Sequence, residues 1–304
     1  MRQHEDSPGS TVPHSLYPFT PRQFQRNGLS QSYLDEGIGD PVVMLHGNPS
    51  WSFYWRHVVL ALRDKYRCIV PDHIGCGLSD KPPETQYDYA LKSRIDDVEA
   101  LLDHLGVHEK ITLVVQDWGG MIGMAFAARH PDRIKRIVAT NTGAFPLPES
   151  KPFPWPLWLG WGTKSGAWMI LHLNTFCRAA ASWCVTRKKL PADVRKMYLK
   201  PYDTPANRIA VLKFVQTIPL RPEDPGYDIV RDTAASLHRF GNVPTLLLWG
   251  MKDFVFDEHF LRDWQRYFPH AETHVWPDCG HYLLEDAGDE AIPMIREFLD
   301  RHPV

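Results

Sequence analysis

The run Leu113-Val114-Val115-Gln116-Asp117-Trp118-Gly119-Gly120-Met121-Ile122-Gly123 constrains this chain more than any other. An apolar β-forming stretch passes through an abrupt turn into a glycine-rich helical pattern. A reversal that tight holds its central side chain, Asp117, above the carboxyl edge of a sheet, and it needs small residues where the helix folds back. Such a turn belongs to a parallel sheet with crossover helices.

The rest of the chain keeps the same rhythm. Strands are expected at Val42–His46, Tyr66–Val70, Ile111–Val115, Ile134–Thr140, Pro244–Trp249 and Glu272–Trp276. Helices are expected at Ser52–Arg63, Lys92–Leu105, Trp118–His130, Glu258–Tyr267 and Ala287–Asp300. This alternation predicts an α/β class, with a mostly parallel sheet flanked by helices. From Pro146 to Asp228 it fails: KPFPWPLWLGWGTKSGAW crowds Pro and Trp together, and no buried strand is evident. Prolines punctuate short helices and aromatics must pack against something, so residues 146–228 read as an inserted helical lid. Residues 17–145 and 229–304 then form the core, and 1–16 a flexible N-terminus.

Composition narrows the function classes. A formal charge of −2 gives no basic face for nucleic acid. Five cysteines, Cys68, Cys76, Cys177, Cys184 and Cys279, show no metal-ligand spacing, and an odd number argues against a disulfide framework; reduced, cytoplasmic thiols are the simpler expectation. No apolar run reaches the roughly 18–20 residues that span a bilayer, and the first residues lack a secretory signal. With no H-E-x-x-H motif, no catalytic metal is expected, nor is a cofactor. The loop Pro71–Pro82 is glycine-rich but lacks nucleotide-binding spacing, so it reads as a tight structural loop.

Asp117 has two readings. It could cap the following helix, a role Asp favours, or it could be a nucleophile that is already ionised at neutral pH and attacks an electrophilic carbon without a base. Two residues further along the chain strengthen the second. Asp253 ends the strand Pro244–Trp249 in WGMKD, and His281 comes after a strand in DCGH. Nucleophile, acid and histidine in that order fit a triad in which Asp253 orients His281. Asp257 is the rival acid, but it precedes a helix and reads as an N-cap; Asn141 occupies another position where an acid could stand. His46-Gly47-Asn48-Pro49 ends the first parallel strand, so the backbone N–H groups of Asn48 and Trp118 are expected to form an oxyanion hole. Their side-chain N–H groups could hold a departing anion.

The blocks HGNPSWSFYWR, PDHIGCGLSDKP, QDWGGMIG, WGMKD and GHY resemble the haloalkane dehalogenase branch of the α/β-hydrolase fold from about Tyr17 to Val304. The resemblance implies Asp117 as nucleophile, His281 as base, Asp253 as acid, and Asn48 with Trp118 as anion-binding donors. Val115 departs from the small residue often found two positions before the nucleophile, and Gln116 from the frequent histidine. The stretches NTGAFPLPESKPFPW, LPADVRKMYLKPYDTPANRIAVLKFVQTIPL and REFLDRHPV are more similar to β-lactone decarboxylases of bacterial long-chain olefin biosynthesis. That closer resemblance implies a cis-3,4-dialkyl-oxetan-2-one as substrate, a cis-alkene and carbon dioxide as products, and association with other enzymes of that biosynthesis. A haloalkane dehalogenase using the same residues is the main alternative. An epoxide hydrolase drawing on Tyr198 and Tyr202, or a noncatalytic receptor, are the lesser ones.

Overall fold

A computed structural model describes residues 13–304, so most of the expected flexible N-terminus lies outside the described residues. Eight strands form one sheet: β1 (Arg22–Arg26), β2 (Leu29–Glu36), β3 (Pro41–Leu45), β4 (Arg67–Pro71), β5 (Ile111–Asp117), β6 (Ile134–Thr142), β7 (Thr245–Gly250) and β8 (Glu272–Trp276). Their order is β1-β2-β4-β3-β5-β6-β7-β8. From β4 to β8 every pairing is parallel, and β1 and β2 add an antiparallel edge. The sequence pattern marks the six parallel strands to within a few residues and does not mark the edge hairpin. No residue of β1 is buried, and the residues that β2 buries include the polar Gln31 and Ser32.

The core helices are α1 (Arg56–Leu62), α2 (Leu91–His104) and α3 (Trp118–Arg129). Between β6 and β7 lie α4 (Trp155–Gly162), α5 (Lys164–Leu173), α6 (Thr175–Trp183), α7 (Ala192–Leu199), α8 (Ile209–Gln216) and α9 (Tyr227–Ser236), followed later by α10 (Glu258–Tyr267) and α11 (Leu283–Arg301). The short helices α4–α8 form a helical insertion, ended repeatedly by Pro, Gly and an αL Asn174. Helix α9 returns to pack against α3. The expected helix from Ala287 begins four residues early, because two helices meet at a kink whose non-helical residue is Ala287 itself.

Two apolar layers enclose the sheet. Val42, Met44, Val114 and Leu246 point to the side of α1 and α11, while Val43, Leu45, Leu113 and Leu247 point to the side of α2, α3 and α9. This is the period-2 alternation of strands covered on both faces. The parallel strands all aim their carboxyl ends at the same edge, where the site lies.

Candidate active site

Asp117 is the last residue of β5 and stands at φ 52°, ψ −126°, a backbone conformation that side chains rarely adopt. It makes no side-chain capping bond to α3, so the helix-cap reading does not describe it. The turn exists because its neighbours have no side chains. A Cβ on Gly119 would stand 2.1 Å from the Leu45 carbonyl oxygen, one on Gly120 2.0 Å from Thr142 Oγ1, and one on Gly47 2.0 Å from Asp117 Oδ1. The bulk of Val115 is absorbed on α3: a Cβ on Gly123 would lie 2.9 Å from Val115 Cγ1. The hydroxyl of Thr142 donates to the Asp117 carbonyl and pins the elbow to β6.

The carboxylate is 7% exposed. Asn48 N donates to Oδ1 at 2.6 Å, and Oδ2 lies 3.5 Å from His281 Nε2. Burial pushes the Asp117 carboxyl above its ordinary range, against the pull of His281 and the backbone N–H groups of Asn48 and Trp118. Thus the Asn48 backbone N–H grips the carboxylate's own oxygen Oδ1, while Oδ2 faces the histidine. Asn48 Nδ2 donates one hydrogen to the Val211 carbonyl at 3.1 Å, which fixes the amide at the cavity wall. Trp118 packs its ring against Phe214 at 5.2 Å.

His281 comes after β8, and its Nδ1 lies 2.7 Å from Asp253 Oδ2. Asp253 is buried, and its other oxygen accepts from Val255 N at 2.8 Å. Burial alone would lower the His281 pKa, but Asp253 and then Asp117 outweigh it and raise it above its ordinary value. Sequence order and structure therefore converge, placing Asp117, His281 and Asp253 in one chain of contacts. The rival Asp257 accepts from His259 N at the start of α10 and pairs with Lys151 at 2.6 Å, as a capping residue should.

Two residues matter more than their sequence positions suggested. Gln116 Nε2 lies 2.8 Å from His281 Nε2, which fits a neutral ring protonated at Nδ1, and its Oε1 is buried with no partner among the described residues. Protonation of Nε2 would turn this amide over so that Oε1 accepts. Asn141, at φ 35°, donates through Nδ2 to the carbonyls of Gly250 and Phe256 and accepts from Gly250 N, holding the segment that carries Asp253. Asparagine tolerates that conformation, and its place at the end of β6, where an acid could stand, was the other sequence hint of its role.

In the loops behind the site, buried polar groups bond largely to one another. His46 donates to the Gly47 carbonyl and accepts from His73 N, and burial lowers its pKa to about 4, so it stays neutral. Asp72 accepts from Ser52 N and Leu78 N, anchoring the glycine-rich loop that the sequence marked as structural. Cys76 and Cys279 are buried, and desolvation pushes their thiols to about 11 and about 12; such thiols are packing groups.

Above Asp117 opens a cavity of about 300 Å³, walled by Phe145, Leu147, Phe153, Leu157, Ile170, Phe176 and Phe214 among others. Asp117, His281, Asn48 and Trp118 supply polar groups at its base, and Lys151 also reaches its wall. Tyr198 and Tyr202 do not line it: the first donates to Glu285 at 2.6 Å and the second to the Ser50 carbonyl. The hydroxyls that an epoxide hydrolase would need are thus committed elsewhere. Among the described residues, no group of His, Cys, Asp and Glu could hold a metal ion.

An elbow carboxylate after β5, an acid after β7 and a histidine after β8, at one edge of the sheet under a helical insertion, define an α/β-hydrolase. Residues 40–288 match the alpha/beta hydrolase fold family, and the chain belongs to that family, in its haloalkane dehalogenase-like branch. It is 55% identical to a cis-3-alkyl-4-alkyloxetan-2-one decarboxylase of Shewanella oneidensis, over 94% of this chain and 90% of that protein. It is 49% identical to a protein so named from Xanthomonas campestris, over 95% and 98%. The solved haloalkane dehalogenase of Agrobacterium tumefaciens C58 superposes with a TM-score of 0.82 at 25% identity, covering 93% of this chain and 97% of that one.

Proposed function

We propose that the protein decarboxylates cis-3,4-dialkyl β-lactones to cis-alkenes and carbon dioxide, with Asp117 as nucleophile. The observation that carries the reading is the 49–55% identity, along nearly the whole chain, to two proteins of that activity. The cavity supports it: its largely apolar walls suit two alkyl chains, and Asp117, His281, Asn48 and Trp118 bring polar groups together at its base.

In this mechanism Oδ2 of Asp117 attacks the ring carbon that bears oxygen. That carbon–oxygen bond breaks, its electron pair stays on the lactone oxygen, and a free carboxylate forms on the neighbouring carbon. The Asn48 amide and the Trp118 indole N–H receive this anion, as they would receive a halide. The carbon–carbon bond to the carboxylate then supplies the electrons of the double bond, carbon dioxide departs, and Asp117 leaves as a carboxylate. Inversion followed by anti elimination retains the cis relationship. No proton and no water enter. His281, held by Asp253, is therefore not called on to act as a base in this sequence.

Residues 146–228 act in this proposal as a lid over the alkyl chains. The cytoplasmic setting and the association with other olefin-forming enzymes expected from sequence belong to the same proposal. Incubating the purified protein in parallel with a cis-β-lactone and a bromoalkane tests it. We expect cis-alkene from the first at a rate well above halide release from the second. Faster halide release, or a hydroxy acid as the main lactone product, would replace this reading with a hydrolytic one.

A further inference from the structure

We propose that the outer face of the helical insertion is a docking surface for an anionic phospholipid bilayer, seated so that the cavity mouth opens at the lipid surface. Four of the chain's 11 tryptophans are more than half exposed: Trp155 at 73%, Trp158 at 52%, Trp168 at 54% and Trp183 at 59%. All four stand on the successive helices α4, α5 and α6. Soluble surfaces rarely gather such residues, and their clustering marks a contact face. Trp155 and Trp183 also line the cavity, so the exposed patch runs into its mouth.

Charge selects the occupant. Residues 151–200 contain nine Lys and Arg and a single acid, Asp193, in a chain whose overall charge is −2. Lys164, Arg178, Lys188, Lys189, Arg195 and Lys196 are exposed, and none forms an ion pair among the described residues. Indole rings settle at the level of lipid headgroups, and unpaired cations are drawn to an anionic leaflet. Basic residues beside exposed aromatics are the pattern of a surface that lies on a membrane. Among the described residues no helix is long and apolar enough to cross one, and the proposed contact is peripheral. A molecule with long alkyl chains partitions into lipid, and a mouth held at that surface receives it without passage through water.

The experiment is sedimentation of the full chain with large vesicles of phosphatidylglycerol and phosphatidylethanolamine, against vesicles of phosphatidylcholine alone, with tryptophan emission recorded. We expect binding to the anionic vesicles only, a blue shift on binding, and release as salt rises. Lys188→Glu with Lys189→Glu should weaken binding by roughly tenfold or more. Trp158→Ser with Trp168→Ser, both outside the cavity lining, should weaken it and diminish the blue shift while the melting temperature holds. Absence of binding to either vesicle, equal binding to both, or binding insensitive to salt would overturn the proposal. Tryptophan-dependent self-association without vesicle binding would overturn it too, assigning the face to contact between copies. Because vesicle binding is read without turnover, its failure leaves the lactone reading intact.

Discussion

At the scale of single residues the account turns on one desolvated carboxylate. Asp117→Asn keeps the shape and removes the charge, so turnover should fall by about 10⁴-fold or more. The same change should stabilise the fold. Because burial raises this carboxyl above its unfolded value, its ionised form costs the folded state free energy at neutral pH, a cost that disappears as pH falls below the unfolded carboxyl range. Removing that cost should raise the melting temperature, measurable by calorimetry. The pH–rate profile separates two roles of histidine. Asp117 must be ionised, so alkene formation should decline on the acid side above the ordinary carboxylate range. The raised pKa of His281 would further disable a base that activates water, and a hydrolytic reaction should fall through the neutral region as the ring protonates. Alkene formation uses no such base and should hold level there. A histidine-like fall in alkene yield between about pH 6 and about pH 8 would show that His281 acts as a base after all.

Among elements, the strand-to-helix elbow shows why some of the site was legible and some was not. The order Asp117, Asp253, His281 could be read because each acid or histidine comes after an apolar strand, and parallel strands deliver their ends to one edge. Gln116 and Asn141 could not be read as site residues, because their roles arise from contacts to residues 165 and 109 positions away. Val115 looked like a departure, yet Gly123 on α3 leaves it the space it needs. Gly123→Ala should therefore destabilise by about 1–3 kcal/mol through overpacking. Combined with Val115→Ala it should cost at least about 0.5 kcal/mol less than the two single changes summed, as urea unfolding would show. The hairpin β1–β2 did carry a signal: Asn27 and Gly28 both have positive φ, the Asn-Gly pair of a tight hairpin turn. Strand β1 was invisible because it is a polar edge with no buried residue, and β2 because it buries polar Gln31 and Ser32 beside its apolar residues. In the insertion, helix positions were blurred by Pro and Gly, and only its helical nature could be read.

For the whole molecule, the insertion and the core are joined by a buried ionic contact. Arg56 on α1 donates to Glu285 on α11 through two nitrogens, at 2.6 and 3.0 Å, and Tyr198 on α7 donates to the same carboxylate. Replacing Glu285 by Leu strands the Arg56 charge in the interior and should cost about 3–5 kcal/mol in chemical denaturation. Tyr198→Phe removes only the link to the insertion and should cost about 1.5–3 kcal/mol, the range for a hydrogen bond to a charged group. The central claim is that Asp117 forms a bond to the lactone and leaves by elimination. A single turnover in ¹⁸O-labelled water, quenched at successive times and followed by mass spectrometry of the peptide carrying Asp117, tests it. The account predicts a transient gain equal to the full mass of the lactone, then return to the unlabelled mass as cis-alkene appears. Return with an ¹⁸O atom in Asp117, or turnover without modification of that peptide at any time, would contradict it.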